Sequence, residues 1–435
     1  LEKDIAQIES ILNRILNENI KIKFYLKENT NEDLKEKKME KTHLRINGNF
    51  IQSIMKDGRI QYLVHDSAST QYLDTYQALD GTEYEPINKE YVSTGCVVLP
   101  GEPDFNAKPI DVWLSVRKFW ADNLLMDNLS IEVLTAFTYF SWFYDSTETA
   151  PYLLVIGDLG TAKTRVLDIA NMLCFNATML GTAVTEANIF RLQHIVRGTL
   201  LIDEFERKQS DKTSAIAQIL NSGYMRNGTV LRCDENNKPR PYKTFGPKII
   251  ATRSMPDDDA LESRCFILGT KRKTVKELKA NNIPLDLNNK HRKQAAQIRS
   301  NLFGLRLRQV QVSAQNNKLY FKAQRPRDKQ LLVSMLSVQP EALQPILAEN
   351  VERALAQSRS TPQLELESNI AKLLCAKINK TVSSKTNSMP ITITINEIKA
   401  HLAKGYQKRY YNKTIANACR KMGFELERYN KGMRL

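Results

Sequence analysis

The chain has 435 residues, of which 42% are hydrophobic and 26% are charged, as in ordinary globular proteins. At this length we expect two to four domains rather than a single core. No apolar run approaches the roughly 20 residues that a membrane helix needs, and no signal segment opens the chain, so we predict a cytoplasmic protein without a membrane partner. The six cysteines are widely spaced and include no CxxC pair, which argues against a zinc site and a disulfide framework.

Positive charge is concentrated in the last third of the chain. Residues 301–435 contain 23 Lys and Arg against nine Asp and Glu, whereas residues 1–300 contain 40 against 39. A basic terminal third on a neutral body predicts a polyanionic partner, most often a nucleic acid. A basic surface that serves only solubility is the alternative.

The first 108 residues predict a small β-rich domain preceded by a helix. Residues 1–19 place isoleucines and leucines at helical spacing, and a stretch rich in Glu and Lys follows over 28–41. Strand-like runs then occupy 43–100. Two turn signals interrupt them, at Asn47-Gly48 and Asp57-Gly58.

Residues 109–270 predict a parallel sheet that is covered by helices on both faces. Residues 109–147 have an apolar helical pattern, and we expect their three tryptophans, Trp113, Trp120 and Trp142, in the core. Beyond them, apolar strands alternate with helices, which is typical of α/β proteins. The clearest of these elements are strands over Tyr152–Ile156, Thr199–Ile202 and Lys248–Thr252 and a helix over Arg165–Cys174.

The rest of the chain predicts a connection, a helical lid and a terminal domain. Residues 271–300 have the composition of a polar, basic connection, and 327–357 have a helical pattern, so 271–357 is predicted as linker and lid. Ser358 to Pro362 is predicted as a second linker. Residues 363–435 then form a compact terminal domain.

A phosphate-binding loop is predicted directly after the first apolar strand. Backbone N–H groups at a helix N-terminus bind phosphate, and glycines at 157 and 160 permit the required backbone path. Lys163 would reach the β- and γ-phosphates of ATP, and the Thr164 hydroxyl would bind Mg²⁺. The common pattern, GxxxxGK followed by Ser or Thr, has glycine where this chain has Ala162. The predicted ATP site comprises Gly157, Asp158, Leu159, Gly160, Thr161, Ala162, Lys163 and Thr164.

Two carboxylates follow the second apolar strand, about 40 residues after Lys163. Asp203 would hold the magnesium ion through water, and Glu204 would polarise the attacking water as general base. Together with the loop, this pair predicts a P-loop enzyme that hydrolyses ATP and uses ATP and Mg²⁺ as its cofactors.

Several segments resemble those of AAA+ ATPases and, among them, minichromosome-maintenance (MCM) helicases. The loop over 157–164, with alanine before its lysine, resembles the MCM phosphate loop, and the run over 263–266 (Ser-Arg-Cys-Phe) resembles their Ser-Arg-Phe motif. Residues 219–232, followed by Phe-Gly-Pro-Lys, are similar to MCM-like replicative helicases of bacterial mobile elements and phages, such as the staphylococcal cassette self-loading helicases. The resemblance covers residues 110–345 and does not extend to 1–100.

This resemblance implies an AAA+ fold with a helical lid, and it implies further site residues. Thr252 would orient the attacking water, with Arg253 as the alternative. Arg264 would be an arginine finger that completes a neighbouring subunit's site, a surface salt bridge being the alternative. Either Arg325 or Arg327 would be the second sensor arginine at the ATP. The family also implies a homo-oligomer, a hexameric ring that moves along DNA.

A candidate DNA contact lies between the catalytic carboxylates and the third strand. Two strand-like runs flank a polar turn over 235–239, which predicts a β-hairpin. In the resembled helicases a hairpin inserted here points into the ring channel. Lys238, Arg240 and Lys243 would then contact DNA phosphates, and an ordinary solvated turn is the alternative.

Residues 365–435 predict a winged helix. The pattern consists of a helix over Leu366–Ile378, a strand over Ile391–Ile395, a helix from Asn396, a helix over Asn412–Met422 and a hairpin over Phe424–Leu435. Helix-turn-helix domains use the last helix to bind DNA, so Lys413, Arg420 and Lys421 are candidate contacts. A protein-binding role for this domain is the alternative.

From these observations we expect an ATP-dependent DNA helicase that works as a ring on single-stranded or forked DNA, in the replication of a mobile element or phage. An AAA+ ATPase that loads or remodels a protein partner on DNA is the alternative. A third hypothesis is an ATP-switched DNA-binding factor. Positive charge on the predicted hairpin favours the helicase.

Overall fold

The computed structural model describes residues 38–66, 69–181, 185–203, 211–233, 237–253, 258–308, 321–323, 325–383, 394–405, 412–424, 427–429 and 432–434. The helix predicted over 1–19 and the candidate base Glu204 lie outside these ranges. None of the helices in the described ranges combines the length and apolar character that crossing a bilayer requires.

Short strands follow one another from residue 38. They are β1 (Lys38–Glu40), β2 (His43–Ile46), β3 (Asn49–Lys56), β4 (Arg59–His65), β5 (Thr70–Leu73), β6 (Tyr76–Gln77) and β7 (Glu83–Glu85). Strands β2 to β5 pair antiparallel in chain order, and β7 pairs with both β1 and β6. Both predicted turns form hairpin tips, since Asn47, Gly48, Asp57 and Gly58 all have positive φ, as a type I′ turn requires.

The N-terminal strands share a core with the rest of the protein. Helix α1 (Lys89–Ser93) and strand β8 (Val97–Val98) follow them, and β8 lies at the edge of the central sheet. Phe50, Ile54 and Leu63 belong to the same buried cluster as the residues of that sheet. Residues on both sides of position 108 therefore pack together.

Two apolar helices precede the central sheet, as the sequence predicted. They are α2 (Pro109–Asn123) and α3 (Asn128–Ser141). Pro109 occupies the first position of α2, and the Asp127 side chain accepts the Ser130 N–H to cap α3. The core prediction for the tryptophans is confirmed, because each is at most 4% exposed and each indole N–H donates a hydrogen bond inside the protein.

Helices and strands alternate through the central sheet. The elements are β9 (Tyr152–Ile156), α4 (Lys163–Leu173), β10 (Ala177–Leu180), α5 (Glu186–Val196), β11 (Leu200–Ile202), α6 (Asp211–Ser222), β12 (Thr229–Cys233), β13 (Pro239–Lys243), β14 (Lys248–Thr252), α7 (Asp259–Glu262) and β15 (Cys265–Gly269). In the described chain the sheet order is β15-β9-β14-β11-β10-β8, and every pairing except that of β8 is parallel. The parallel α/β prediction is therefore confirmed.

Strand β14 enters the sheet between two strands that precede it in the chain. It pairs with β9 on one side and with β11 on the other. Its last residue, Thr252, lies opposite Ile156, the last residue of β9. Because parallel strands end at the same edge, the segments after β9, β11 and β14 lie together at the carboxyl edge. The segments before β9 and β15 lie at the opposite, amino edge.

A two-stranded hairpin projects between α6 and β14, where the sequence predicted one. Strands β12 and β13 pair antiparallel from Thr229 opposite Lys243 to Cys233 opposite Pro239. The ring of Tyr242 on β13 packs against Phe190 on α5, with 4.7 Å between centroids. The turn residues 234–236 lie outside the described ranges.

The prediction of a polar connection over 271–300 was wrong. Helices α8 (Val275–Ala280) and α9 (Asn289–Arg308) occupy this region. Thr274 and Glu277 form a capping box at the start of α8. Helix α9 buries one stripe, which includes Ala295, Ile298 and Leu302, among many charged residues. Those charges lowered its apparent hydrophobicity and hid the helical period in the sequence.

The linker predicted at 358–362 was also wrong. Helix α10 (Pro326–Leu336) is followed by α11 (Gln344–Ser383), which passes through this segment without a break. Strong helix formers flank this segment on both sides. Because each residue that joins an existing helix adds a backbone hydrogen bond, the helix continues through the Ser and Pro residues of the segment. Arg359 within it also makes tertiary contacts, described below.

The last described elements pack around the end of α11. They are α12 (Ile395–Gly405), α13 (Asn412–Lys421), β16 (Glu427–Tyr429) and β17 (Gly432–Arg434), the two strands pairing antiparallel. Their small core contains Ile370, Ile398 and Ile415. Thr394 and Glu397 form a capping box that starts α12. The strand predicted over 391–395 is helical at Ile395, and its residues 391–393 are outside the described ranges.

Candidate nucleotide site and nucleic-acid interface

The predicted phosphate loop connects β9 to α4 at the carboxyl edge of the sheet. Gly160 and Ala162 have φ angles of 72° and 70°, in the left-handed region. Alternation of left-handed and ordinary residues turns successive N–H groups inward and builds an anion-binding concavity before a helix N-terminus. At Gly157 a Cβ would lie 2.0 Å from the Thr270 hydroxyl oxygen and 2.9 Å from the Thr270 carbonyl oxygen, so only glycine fits there.

Lys163 is the first residue of α4, and its side chain folds back over the loop. Its ammonium donates hydrogen bonds to the carbonyl oxygens of Gly157, at 2.6 Å, and Asp158, at 2.7 Å. The residue is only 7% exposed. The charge therefore lies against the loop that was predicted to hold phosphate, and the next residue, Thr164, is exposed.

Thr270 stabilises the loop from the neighbouring strand and was missed in the sequence. It follows β15, its N–H donates to the Ile156 carbonyl at 2.7 Å, and its hydroxyl lies 2.9 Å from that of Thr161. The Thr161 hydroxyl in turn lies 2.7 Å from the Asp158 carbonyl oxygen. The only available signal was its position after an apolar strand, which does not reveal that this strand pairs with β9.

Asp203 lies at the same edge, where β11 ends. Helix α4 packs across β10, β11 and β14, and this brings its first turns over the end of β11. Burial raises the pKa of Asp168, one turn after Thr164; Arg165 opposes this effect, and the nearby charge of Asp203 adds to it. A threonine hydroxyl and a carboxylate are oxygen donors of the kind that Mg²⁺ prefers, so these residues fit the predicted ion.

Thr252 is at the loop as well, because β14 lies beside β9. It is 3% exposed, and its carbonyl accepts the N–H of Gly157 at 3.2 Å. Arg253 follows it and is half-buried. The structure thus brings Lys163, Asp203 and Thr252 together.

Arg264 lies at the opposite edge of the sheet. It immediately precedes β15, and its carbonyl accepts the N–H of Tyr152, the first residue of β9. The five residues of β9 separate this edge from the phosphate loop by roughly 16 Å. Arg264 is therefore too distant to serve the loop of its own chain.

Arg327 joins Arg264 on one buried aromatic ring. The guanidinium carbons of Arg264 and Arg327 lie 5.6 Å and 5.0 Å from the ring centroid of Tyr224. Tyr224 is fully buried and packs edge-on against Tyr152. Arg325 precedes α10 on this side too, near Glu262. Neither sensor candidate lies at this chain's own phosphate loop, and their role at ATP stays a prediction.

Arg359 contacts the segment that carries Arg264. The sequence analysis missed this residue because it predicted a linker at 358–362. Its guanidinium donates to the carbonyl oxygen of Glu262 at 2.8 Å and pairs with Asp328 on α10 at 3.5 Å. Helix α11 thereby ties the residues before β15 to the start of α10, which carries Arg327.

The predicted nucleic-acid contacts lie on two elements of the fold, the hairpin and α13. Lys238, Arg240 and Lys243 are exposed on and beside β13. On α13, Arg420 is exposed, and Lys413 and Lys421 occupy the same helix.

Comparison with known proteins finds only weak structural similarity. No family model matches the chain, and no curated protein matches it. The apo A form of the NrS-1 C-terminal region is similar at 12% identity and a TM-score of 0.31, over 88% of this chain and 95% of that one. JCV helicase, in a structure with a bound substituted acetamide, is similar at 12% identity and a TM-score of 0.27, over 57% of this chain and 61% of that one. Such values show neither a family nor an activity.

Proposed function

We propose that this chain is an ATP-driven DNA helicase of the AAA+ type that works as a closed ring. One observation carries the proposal: the residues for one catalytic site lie at opposite edges of one sheet. The carboxyl edge has the phosphate loop, Lys163 and Asp203, and the amino edge has Arg264 and Arg327. A head-to-tail contact that closes into a ring would place the amino edge of each copy at the loop of the next.

ATP hydrolysis at such a junction would divide the work between two copies. In one copy the loop N–H groups and the ammonium of Lys163 hold the phosphates, and Glu204 takes the proton of the attacking water that Thr252 orients. Mg²⁺ held by Thr164 and Asp203 would neutralise phosphate charge. From the other copy, Arg264 would donate hydrogen bonds to the γ-phosphate oxygens, which gain charge in the transition state.

DNA binding is the second half of the proposal, and the hairpin supports it. A projecting element needs only positive charge to hold phosphates of any sequence, and the hairpin exposes Lys238, Arg240 and Lys243. The basic last third, with Arg420 on α13, would add affinity for duplex in a winged-helix domain. We further propose, on the sequence resemblance alone, that the chain belongs with MCM-like helicases of mobile elements or phages.

Strand displacement tests the helicase directly. Purified protein, ATP, Mg²⁺ and a forked DNA with one labelled strand should release that strand, and Glu204→Gln should abolish the release. Hydrolysis that never separates strands but responds to a protein partner would favour the loader or remodeller. DNA binding that changes with ATP in the absence of turnover would favour the switched factor.

A double substitution in the hairpin tests whether the hairpin holds the DNA strand. In Lys238→Ala with Arg240→Ala, the number of base pairs separated for each ATP hydrolysed should fall at least about tenfold, because phosphate contacts are lost. The matched control removes two exposed lysines elsewhere, Lys38→Ala with Lys118→Ala, and should unwind normally. Equal unwinding by the two double variants would show that the hairpin does not hold the strand.

A further inference from the structure

Basic groups from three parts of the chain meet at the base of the hairpin. Lys41 lies between β1 and β2, Arg197 directly follows α5, and Lys243 ends β13. His194 lies among them: its carbonyl oxygen accepts from the Lys41 ammonium at 3.0 Å, and its Nδ1 accepts the Lys243 backbone N–H at 3.1 Å. The N-terminal strands thus touch the hairpin through this cluster.

The backbone around the cluster is held firmly. The Lys41 N–H donates to Glu85 at 3.0 Å, and the Lys41 carbonyl accepts from the Tyr62 hydroxyl at 2.7 Å. The next N–H along the chain, that of residue 42, donates to the carbonyl of Ile195 at 3.0 Å. On the other side, the carbonyl of Arg197 accepts from the Tyr144 hydroxyl at 2.8 Å. The backbone that carries Lys41 and Arg197 is therefore fixed by the fold.

Among the described residues, no ion pair balances the positive charge of the cluster. Within the described part of the chain, no carboxylate pairs with Lys41, Arg197 or Lys243. The Nε of Arg197 is buried and has no hydrogen-bond partner there either. The charge of Glu40 raises the pKa of Lys41, and the Glu40 carboxylate accepts the N–H of Asn88 at 2.7 Å.

The three cations repel one another. Burial, then Arg197 and Lys243, lower the pKa of Lys41 to about 7. Arg197 and then burial lower the pKa of Lys243. Burial, with the surrounding cations, lowers the pKa of His194 to about 3, which agrees with its Nδ1 acting as an acceptor. Holding like charges together costs free energy, which a bound anion would offset.

We propose that Lys41, Arg197 and Lys243 form a phosphate-binding site for a nucleic-acid strand, at the point where the N-terminal strands meet the hairpin. The proposal rests on the helicase function above and extends its DNA path beyond the hairpin. A phosphodiester strand is the anion that fits, because Lys243 shares the hairpin with the exposed cations Lys238 and Arg240. The N-terminal strands, to which no role was assigned, would then help to hold DNA.

The affinity for single-stranded DNA tests this site. The probe is a fluorescein-labelled oligo(dT) of about 20 nucleotides, measured by anisotropy over a salt series without nucleotide. Arg197→Gly suits the left-handed φ of 49° at this position, and Lys243→Gln changes an exposed residue. Each should weaken binding several-fold and should reduce the slope of log K against log salt by about 0.7. The control Lys118→Gln, an exposed lysine on α2, should change neither quantity.

A pH series provides a second readout, specific to Lys41. Binding of an anion favours the charged ammonium, so the wild-type affinity should rise as pH falls through about 7. Lys41→Met removes the titrating group and should flatten this rise between about pH 6 and pH 8. A rise of equal size in Lys41→Met would count against the site.

The outcomes separate this site from the helicase itself. If the wild type does not bind oligo(dT), the proposed function fails, and this site fails with it. If the wild type binds and the variants keep its affinity and salt slope, the site alone is overturned. If polyglutamate of matched length displaces the DNA and shows the same sensitivity to the variants, the ligand is an acidic protein segment and the nucleic-acid assignment is wrong. Because Lys243 is exposed, Lys243→Gln keeps the test valid even if a buried variant fails to fold.

Discussion

The two edges of the central sheet carry complementary chemistry. At the carboxyl edge lie the loop with left-handed Gly160 and Ala162, the ammonium of Lys163 and the carboxylate of Asp203, which are the groups proposed to hold phosphate and magnesium. At the amino edge, Arg264 and Arg327 lie on the ring of Tyr224, without a phosphate loop beside them. Neither edge is a complete catalytic site. This comparison is the basis of the proposal that the working unit is the junction between two copies rather than the single chain.

The edges differ for a physical reason. Parallel strands lead from their carboxyl ends into helices, and the positive N-terminal ends of those helices favour anions. The amino edge receives chain that returns from the helices of the sheet. Cationic side chains on a buried aromatic support are what this edge offers instead.

The largest effects should come from the carboxyl edge. Glu204→Gln should retain ATP binding and lower hydrolysis by about 10²- to 10⁴-fold, because only the water-activating group is lost. Lys163→Ala should weaken ATP binding itself, because phosphate charge then has no ammonium partner. Nucleotide titration and single-turnover hydrolysis measure the two quantities. Normal turnover in Glu204→Gln would remove it from the mechanism.

Arg264→Ala, at the amino edge, should lower ATP hydrolysis nearly as much as Glu204→Gln does. Arginine fingers contribute on the order of 10³-fold or more to phosphoryl transfer, and binding of ATP at the distant loop should stay near normal. Mixing Arg264→Ala with Glu204→Gln should restore some hydrolysis, at junctions that join an intact Glu204 to an intact Arg264. A monomer that hydrolyses ATP well at low concentration would contradict the shared site.

Tyr224→Leu should have a smaller effect, about tenfold on hydrolysis, because the ring that supports both arginines is lost. ATP binding should change little, since the loop is at the other edge. Tyr224→Phe is the matched control: it keeps the ring and removes a hydroxyl that has no hydrogen-bond partner among the described residues. The steady-state rate of ATP hydrolysis should therefore be clearly lower in Tyr224→Leu than in Tyr224→Phe. Equal rates in the two variants would show that the ring does not position the arginines.

The smallest effect concerns the shape of the loop. Ala162 holds a left-handed φ of 70°, which costs a residue with a Cβ about 1 kcal/mol relative to glycine. Ala162→Gly should raise the free energy of unfolding by about that amount in the absence of nucleotide. Ala356→Gly, at an exposed position within α11, should lower it by about 1 kcal/mol. Denaturant titration compares them, and a shift of the same sign in both would refute the strain at Ala162.

Much of the carboxyl edge could be predicted from the sequence because its residues are close in the chain. Strands Tyr152–Ile156 and Lys248–Thr252 have the predicted bounds, since buried parallel strands are continuous apolar runs that end at turn residues. The phosphate loop is one contiguous segment, so its glycines and Lys163 form a pattern without knowledge of the fold. Local turn chemistry likewise determined the hairpin tips at Asn47-Gly48 and Asp57-Gly58.

Only the tertiary structure decided which distant residues meet. Strand β14 inserts between β9 and β11, and this order places Thr252 and Asp203 at one loop. Packing of α10 and α11 against the amino edge brings Arg327 to Tyr224 and Arg359 to Glu262, although some 100 residues of chain separate the members of each pair. Propensity and spacing describe each segment by itself, whereas strand order and helix packing arise from burial of the whole core. The cluster of Lys41, Arg197 and Lys243 was hidden for the same reason.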